Sequence, residues 1–148
     1  MSRNRIGALI VIERKTGLQE YVDRGTVIDA AISSRLLTSL FFPNSPLHDG
    51  AVILRYDRIA AAGCLLPLSD TILDSPDLGT RHRAAVGVSE QSDALAVIVS
   101  EETGIISIAS NGRIVGSLSP DKLKEILISQ LQIRVKGRGN KAGSQAQD

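Results

Sequence analysis

The segment "SPLHDGAVIL", residues 45–54, places a histidine, an aspartate and a glycine directly before a run of apolar residues. Asp49 could ligate Mg²⁺ or Mn²⁺, or accept a proton from an attacking hydroxyl group. His48 could serve as a softer metal ligand beside it, and Gly50 would let a ligand approach the backbone closely. Because Asp-Gly is also common in ordinary turns, the segment alone leaves both interpretations open.

A second polar group occurs in the sequence "DLGTRHRAAVG". Gly79 and Thr80 stand at a predicted helix start, where free backbone N–H groups and a partial positive charge favour phosphate. The guanidinium groups of Arg81 and Arg83 add donors that phosphate oxygens prefer. Arg81, His82 and Arg83 cannot all point the same way on a helix, so we expect at least one to be structural. An exposed basic turn is the alternative interpretation.

A third group, "VSEETG", places Ser100, Glu101 and Glu102 directly after a predicted strand. Ligands of α/β proteins bind at strand ends, so these side chains could line a site. Taken alone, the same residues describe a turn with solvated acids. Neither a Walker A sequence nor the glycine-rich dinucleotide fingerprint occurs, so nucleotide binding would need another architecture.

The elements that must position these groups are readable from the apolar pattern. Short apolar runs without polar alternation predict strands covered on both faces, and they occupy residues 6–12, 51–54, 59–66 and 94–99. Asn111-Gly112 lies between two strand-like pieces and is the favoured dipeptide of a type I′ hairpin, which makes part of the sheet antiparallel. We therefore predict a single α/β domain with a central mixed β-sheet flanked by helices.

Three helices are predicted. The first covers residues 26–42, with Thr26 and Asp29 as a capping-box-like start. Its predicted inner face contains Ile28, Ala31, Ile32, Leu36 and Leu40. The second covers residues 119–132, with Ser119 as N-cap, Pro120 at the first helical position and a core stripe. That stripe consists of Leu123, Ile126, Leu127 and Leu131. The third covers residues 79–91.

The composition of the chain limits the classes of ligand that it can bind. The 148 residues are enough for one domain with its own core, and the net charge of +1 creates no field that attracts nucleic acid or a membrane. Aromatic residues make up only 3% of the chain, too few for a stacking surface, so nucleic acid is excluded as the main ligand. The single cysteine, Cys64, stands in an apolar run and is expected to be a buried hydrophobe.

No apolar run is long enough to span a membrane, and no signal peptide is visible. Residues 134–148 are polar and glycine-rich, and we expect them to form a disordered tail after a domain of residues 1–133.

The three polar groups together resemble the diadenylate cyclase (DAC) domain family. "LHDGAV", then "LGTRHRAAVGVSE" about thirty residues later, then "VSEETG" occur in the family's order. Its DGA motif is present as Asp49-Gly50-Ala51 and its RHR motif as Arg81-His82-Arg83. The likeness runs from about residue 5 to about residue 130, and "IGALIVIERKTGLQEYVDRG" resembles the membrane-anchored CdaA-type branch.

The resemblance implies the DAC-domain fold and the metal-dependent condensation of two ATP into cyclic di-AMP, a second messenger, with release of two pyrophosphates. It implies that Asp49 helps the ribose 3′-hydroxyl attack an α-phosphate, with Mg²⁺ or Mn²⁺ as cofactor. The segment Thr80–Arg83 would hold phosphates, the backbone of Leu66 would contact adenine, and Ser100–Glu102 would line the nucleotide site. One departure is Leu65, where relatives of this branch often carry an aromatic residue.

Two other classes of function use the same residues: a non-catalytic nucleotide sensor, and a metal-dependent phosphohydrolase in which His48 and Asp49 activate water. The intact Asp49 and Arg81–Arg83 argue against a sensor, because a protein that only binds has no need of the acid. Because the product of the cyclase reaction is two-fold symmetric, catalysis is expected to need a homodimer.

The branch further implies that the chain is the cytosolic domain of a membrane-anchored bacterial protein. The same resemblance implies a membrane-bound regulator and phosphoglucosamine mutase as partners.

Overall fold

The computed structural model describes residues 6–71 and 79–131, so the predicted tail at 134–148 lies outside the described residues. The described part falls into two compact units that divide between Ser117 and Leu118, and each is described by itself. The first unit contains the β-sheet and three helices. The second contains one helix. The predicted domain boundary at residue 133 stays a prediction.

Seven strands form one mixed sheet in the order β2-β4-β3-β1-β5-β6-β7. The strands are β1 Ala8–Ile12, β2 Thr26–Ala31, β3 Ala51–Arg55, β4 Arg58–Cys64, β5 Leu95–Val99, β6 Ile106–Ser110 and β7 Arg113–Leu118. The helices are α1 Gln19–Val22, α2 Ser34–Phe41, α3 Thr80–Gln91 and α4 Pro120–Gln130. β1 pairs parallel to β3, whereas β5 pairs antiparallel to β1. The predicted α/β class with a mixed sheet is confirmed.

The central strands are covered on both faces, as their apolar runs predict. All five residues of β5 are buried, and so are four of the five residues of β1. α3 packs on β1, β5 and β6, and α1 packs on β4. Burial of apolar surface from strands and helices in one cluster is the main stabilising contribution to this unit.

The predicted hairpin between β6 and β7 is confirmed. Asn111 has φ 53° and Gly112 has φ 78°, so both residues of the turn adopt the positive φ that a type I′ turn requires. The Gly112 N–H also donates to Ser89 Oγ at 3.0 Å, which attaches the turn to the C-terminal half of α3.

The prediction of one helix over residues 26–42 is wrong for its first half. Thr26 does not cap a helix, because residues 26–31 form β2, which pairs antiparallel with β4 through Thr26↔Ala62 and Ala31↔Arg58. The β-branched residues at the start of this segment favour a strand, and β4 offers an edge to pair with. The capping-box acid, Asp29, instead has φ 51° and accepts a hydrogen bond from Arg58 Nε at 2.6 Å.

The helix begins only after this strand. Ser33 is its N-cap, since the Ser33 hydroxyl accepts the backbone N–H of Leu36 at 3.1 Å. Leu40 is the only member of the predicted inner face that is buried. Ile28 and Ala31 belong to the edge strand, Ile32 lies between β2 and α2, and Leu36 is half-buried in the first turn of α2.

The second unit contains α4 with the predicted capping. The Ser119 hydroxyl accepts the backbone N–H of Lys122 at 3.0 Å, and Pro120 occupies the first helical position. The predicted stripe of Leu123, Ile126, Leu127 and Leu131 is half-buried, and no residue of α4 is fully buried.

One glycine of α3 decides how closely a neighbouring loop can approach. A Cβ at Gly87 would overlap the carbonyl oxygen of Pro67 and would lie 2.9 Å from its carbonyl carbon. Since these are backbone atoms, they cannot turn aside as a flexible side chain could.

We therefore expect Gly87→Ala to lower the free energy of unfolding by about 3 kcal/mol, at the upper end of the range for overpacking. Urea unfolding followed by circular dichroism measures this. Gly17→Ala is the matched control, because a Cβ at Gly17 meets no atom within 4 Å. Equal stability of the two variants would contradict the packing described for α3.

Candidate active site

The directions of the strands place the polar groups predicted from the sequence at one edge of the sheet. Since β1 and β3 are parallel and β4 and β5 run opposite to them, the starts of β1 and β3 lie beside the ends of β4 and β5. The register pairs Ala8 with Val99 and Ala51 with Cys64 at this edge. The residues that precede β3 and those that follow β4 and β5 therefore lie together.

A cleft of about 550 Å³ opens at this edge and also receives the N-terminus of α3. Ten of the predicted site residues line it: Asp49, Gly50, Leu66, Gly79, Thr80, Arg81, His82, Ser100, Glu101 and Glu102. His48, Ala51 and Arg83 do not line it. Sequence reasoning missed its apolar lining, which includes Leu9, Leu68 and Val99, because an apolar residue of a cleft has the same sequence signal as one of the core.

The carboxylate of Asp49 is accessible to a ligand. Its side chain is 88% exposed, and Oδ1 lies 3.4 Å from Nε2 of His48. The ring of His48 is oriented from its other side, where Nδ1 lies 2.7 Å from the carbonyl oxygen of Ser45 and donates to it. Asp49 can therefore accept a proton or meet a cation.

The His48-Asp49 pair fits a divalent cation that completes its shell with substrate and water oxygens. Within the described residues, no group of three or more His, Cys, Asp or Glu side chains could hold a metal ion by itself. Mg²⁺ is commonly bound in this way, through one or two carboxylates plus substrate phosphates. The carboxylate of Asp49 suits Mg²⁺ or Mn²⁺, and the imidazole of His48 is a softer ligand.

Gly50 is required by the backbone around it. It has φ +93°, and a Cβ there would lie 2.8 Å from the carbonyl carbon of Gly63 and 2.9 Å from the carbonyl oxygen of Cys64. The glycine therefore allows β4 to approach the start of β3, in addition to lining the cleft.

The Arg81 side chain lines the cleft and pairs with Glu101. Nη1 lies 3.2 Å from Oε1 of Glu101, and the Arg81 side chain is only 20% exposed. Nε is buried, with no hydrogen-bond partner in the described part of the chain. Gly7 makes room for this guanidinium, since a Cβ at Gly7 would lie 2.7 Å from Nη1. An unpaired buried donor is costly. The exposed part of the Arg81 side chain lines the cleft, where an anion could accept a hydrogen bond from the guanidinium.

The N-terminus of α3 has further donors. Gly79 is the N-cap, and no side chain in the described residues caps the helix. The first backbone bond of the helix runs from the Arg83 N–H to the Gly79 carbonyl, so the N–H groups before it are open to a ligand. These donors and the exposed Thr80 form a phosphate-binding arrangement.

The residues after β5 form a turn as well as a wall of the cleft. Ser100 Oγ accepts the backbone N–H groups of Glu102 and Thr103, each at 3.3 Å. Glu101 also pairs with Arg81 across the site. The segment is therefore both a turn and a wall of the site, so its two interpretations from the sequence describe the same structure.

Comparison with known proteins identifies the family. The family model DAC, described as DisA bacterial checkpoint controller nucleotide-binding, matches residues 1–114. The chain belongs to this family.

Among its relatives are Cyclic di-AMP synthase CdaA of Bacillus subtilis, 52% identical over 132 residues, and Diadenylate cyclase of Listeria monocytogenes, 49% identical over 131 residues. These alignments cover 89% and 88% of this chain but 48% of each relative, so the chain spans about half their length.

Two solved structures are similar to this DAC domain. DacA of Staphylococcus aureus is 53% identical, with a TM-score of 0.85 over 87% of this chain and 86% of that one. A protein from Bacillus cereus described as a hypothetical membrane spanning protein is 47% identical, with a TM-score of 0.76 over 80% of this chain and 58% of that one. Among the residues described for the present chain, none of the helices has the length and apolar character to cross a membrane.

The three residues of the DAC domain's RHR motif point in different directions. Arg81 enters the cleft, His82 is 6% exposed, and Arg83 lies outside the cleft. Nε and Nη2 of Arg83 donate to the carbonyl oxygen of Ser69 at 3.4 and 3.3 Å. The structure thus gives Arg83 a role in holding a loop, and its predicted catalytic role stays a prediction.

Two buried groups of the DAC site are uncharged at neutral pH. Burial lowers the pKa of His82, and the positive charge of Arg81 lowers it further. Burial raises the pKa of the Cys64 thiol to about 11. Cys64 is 1% exposed, which confirms its prediction as a buried hydrophobe.

The lowered pKa of His82 predicts a loss of stability in weak acid. In the unfolded chain a histidine binds its proton near pH 6.5, whereas folded His82 resists protonation, so stability falls as pH drops below about 6.5. We expect the free energy of unfolding of the wild type to fall from pH 7 to pH 5, and that of His82→Gln to fall less. Urea titrations at pH 7, 6 and 5 measure this.

The comparison isolates position 82, since every other titrating group is present in both proteins. For Glu13, burial favours a higher pKa, but hydrogen bonds from Arg55 and from the Leu18 N–H outweigh it and lower the pKa below 4.5. The Glu13 carboxylate therefore loses its contribution to the free energy of unfolding only at pH values below the tested range of pH 7 to 5. If the free energy of unfolding fell equally with pH in the wild type and in His82→Gln, the burial of a neutral His82 would be contradicted.

Proposed function

We propose that this domain is a diadenylate cyclase, which condenses two ATP into cyclic di-AMP and releases two pyrophosphates. The observation that carries the proposal is the convergence of an exposed carboxylate, Asp49, with the donors of Arg81 and the α3 N-terminus in one cleft. The names of the relatives, cyclic di-AMP synthase and diadenylate cyclase, support the same reaction.

The two sides of the cleft suit the two ends of ATP. Leu65, Leu66 and Leu68 supply an apolar wall, whereas Arg81 and the start of α3 supply donors. A flat apolar base is expected on the leucines and the phosphates on the donors. A volume of about 550 Å³ is within the range of pockets that hold one small ligand.

Each of the two bond-forming steps is a displacement at phosphorus. The 3′-oxygen of one nucleotide bonds to the α-phosphorus of the other, the bond from that phosphorus to pyrophosphate breaks, and Asp49 receives the hydroxyl proton. Arg81 and the N–H groups of α3 stabilise the charge that develops on the α-phosphate and the leaving pyrophosphate. His48 and Asp49 would hold a divalent cation, which would supply further neutralisation of the triphosphate charge.

Asp49→Asn should leave the fold intact and reduce turnover about 10²- to 10⁴-fold, because the amide cannot take the hydroxyl proton. The assay incubates the protein with ATP and Mn²⁺ or Mg²⁺ and separates the products by chromatography. Asp57→Asn is the matched control, an exposed aspartate in the turn between β3 and β4. Wild-type turnover by Asp49→Asn would contradict the proposed role.

The same chromatogram separates the other functions. Cyclic di-AMP from the wild type supports the cyclase, ADP would indicate a phosphohydrolase, and unchanged ATP would indicate a nucleotide sensor.

The proposed reaction needs two copies of the domain. A site that holds one ATP presents one 3′-hydroxyl and one α-phosphate, and these cannot close a two-nucleotide ring by themselves. An isologous pair brings two such sites together across a two-fold axis, with the reacting atoms about 3–3.5 Å apart. The high exposure of Asp49 leaves its carboxylate accessible to a nucleotide held by a facing copy.

Specific activity should therefore rise with protein concentration, since the active species is the pair. Adding Asp49→Asn to a fixed amount of wild type should reduce activity below that of the wild type alone, because mixed pairs contain one defective site. Analytical ultracentrifugation over the same concentrations supplies the fraction of dimer. Constant activity per mole where the protein is monomeric would exclude the facing pair.

We further propose that the domain acts at the cytoplasmic face of a membrane, as part of a membrane-anchored bacterial protein. The description of the Bacillus cereus neighbour as membrane spanning supports this location. The partnerships with a membrane-bound regulator and with phosphoglucosamine mutase stay predictions from the family resemblance.

A further inference from the structure

The apolar wall of the cleft belongs to a loop without helix or strand. This leucine loop, residues 65–71, follows β4 and carries Leu65, Leu66 and Leu68. Leu65 is 65% exposed and Leu68 is 45% exposed, so little burial of their own side chains holds them in place. The position of this wall must therefore depend on contacts elsewhere in the loop.

Those contacts are made with α3. The Ser69 N–H donates to the Arg83 carbonyl at 3.0 Å, and the Arg83 guanidinium donates to the Ser69 carbonyl. Gly87 lets the backbone of Pro67 lie directly against the helix. Ser69 is 2% exposed and forms the centre of this attachment.

Glu90 completes the attachment from the C-terminal half of α3. One oxygen, Oε2, accepts from the Ser69 hydroxyl at 3.0 Å and from the Thr71 hydroxyl at 2.9 Å. The Ser69 oxygen in turn accepts the Thr71 backbone N–H at 3.0 Å. A single carboxylate oxygen thus holds two residues of the loop, and hydrogen bonds to a charged acceptor are stronger than neutral ones.

We propose that Glu90 is a positioning residue for the nucleotide: through Ser69 and Thr71 it holds the leucine loop in the position that contacts the base. It does not line the cleft, so it touches no substrate. This inference rests on the proposed function in one respect, the placement of a base on the leucines. Since the phosphate donors are at the other end of α3, Glu90 should affect binding of the base and leave the phosphate contacts unchanged.

The kinetic test compares Glu90→Ala, Glu90→Gln and the wild type. Loss of both hydrogen bonds should raise KM for ATP about three- to tenfold while kcat stays within about twofold. Gln keeps an acceptor oxygen, so Glu90→Gln should restore most of the loss. Glu125→Ala is the matched control, an exposed helical glutamate paired with Lys122, and it should leave KM unchanged.

A binding test without turnover separates this inference from the proposed function. Calorimetry should show that Glu90→Ala weakens ATP binding about three- to tenfold and leaves binding of inorganic tripolyphosphate unchanged. A wild type that binds ATP without forming cyclic di-AMP would refute the cyclase and still test Glu90. Equal weakening for the two ligands, or wild-type affinity for both, would overturn the positioning role.

Thr71→Val covers the case in which Glu90→Ala does not fold. It removes one hydroxyl donor at an exposed position and keeps the shape of the side chain. We expect Thr71→Val by itself to raise KM about two- to fourfold. Where Glu90→Ala folds, Thr71→Val should add nothing to its effect in the double variant. Full additivity, or no change in KM, would show that Glu90 does not act through this hydroxyl.

Discussion

The parallel pairing of β1 with β3, between antiparallel neighbours, decides where chemistry can occur in this domain. It brings the starts of two strands and the ends of two others to one edge of the sheet. Segments that are 51 residues apart in the chain, Asp49 and the turn at Ser100, therefore line the same cleft. A purely antiparallel meander of the same strands would place the starts of β1 and β3 beside different neighbours and separate these groups.

α3 connects the two sides of that cleft. Its N-terminus supplies donors to the site, and the helix holds the leucine loop through Arg83 in its first turn and through Gly87 and Glu90 in its later turns. A rigid helix thus sets the distance between the charged end and the apolar end of the site. Preorganisation of this kind lowers the cost of ordering the protein when a ligand binds.

Charge is distributed unevenly along the RHR motif. Arg81 is paired with Glu101, and its buried Nε has no hydrogen-bond partner among the described residues. His82 beside it is uncharged at neutral pH because its pKa is lowered. Among the described residues that line the cleft, Arg81 is the one fixed cation, and the start of α3 adds its dipole. The exposed carboxylate of Asp49 lines the same cleft. This arrangement is suited to stabilise charge on phosphate oxygens and to accept a proton nearby.

The sequence by itself determined the fold class, most of the strands and the residues that meet in the cleft. Buried strands and the Asn111-Gly112 turn have local signals, namely apolar runs and an Asn-Gly dipeptide whose residues tolerate positive φ, so they could be predicted. The segment 26–31 could not, because its helical spacing competes with β-branched residues, and only pairing with the edge of β4 decides between them. The roles within the RHR motif also needed the tertiary structure. Which of three adjacent polar side chains enters a cleft depends on the elements that pack around the helix, and no local pattern records those neighbours.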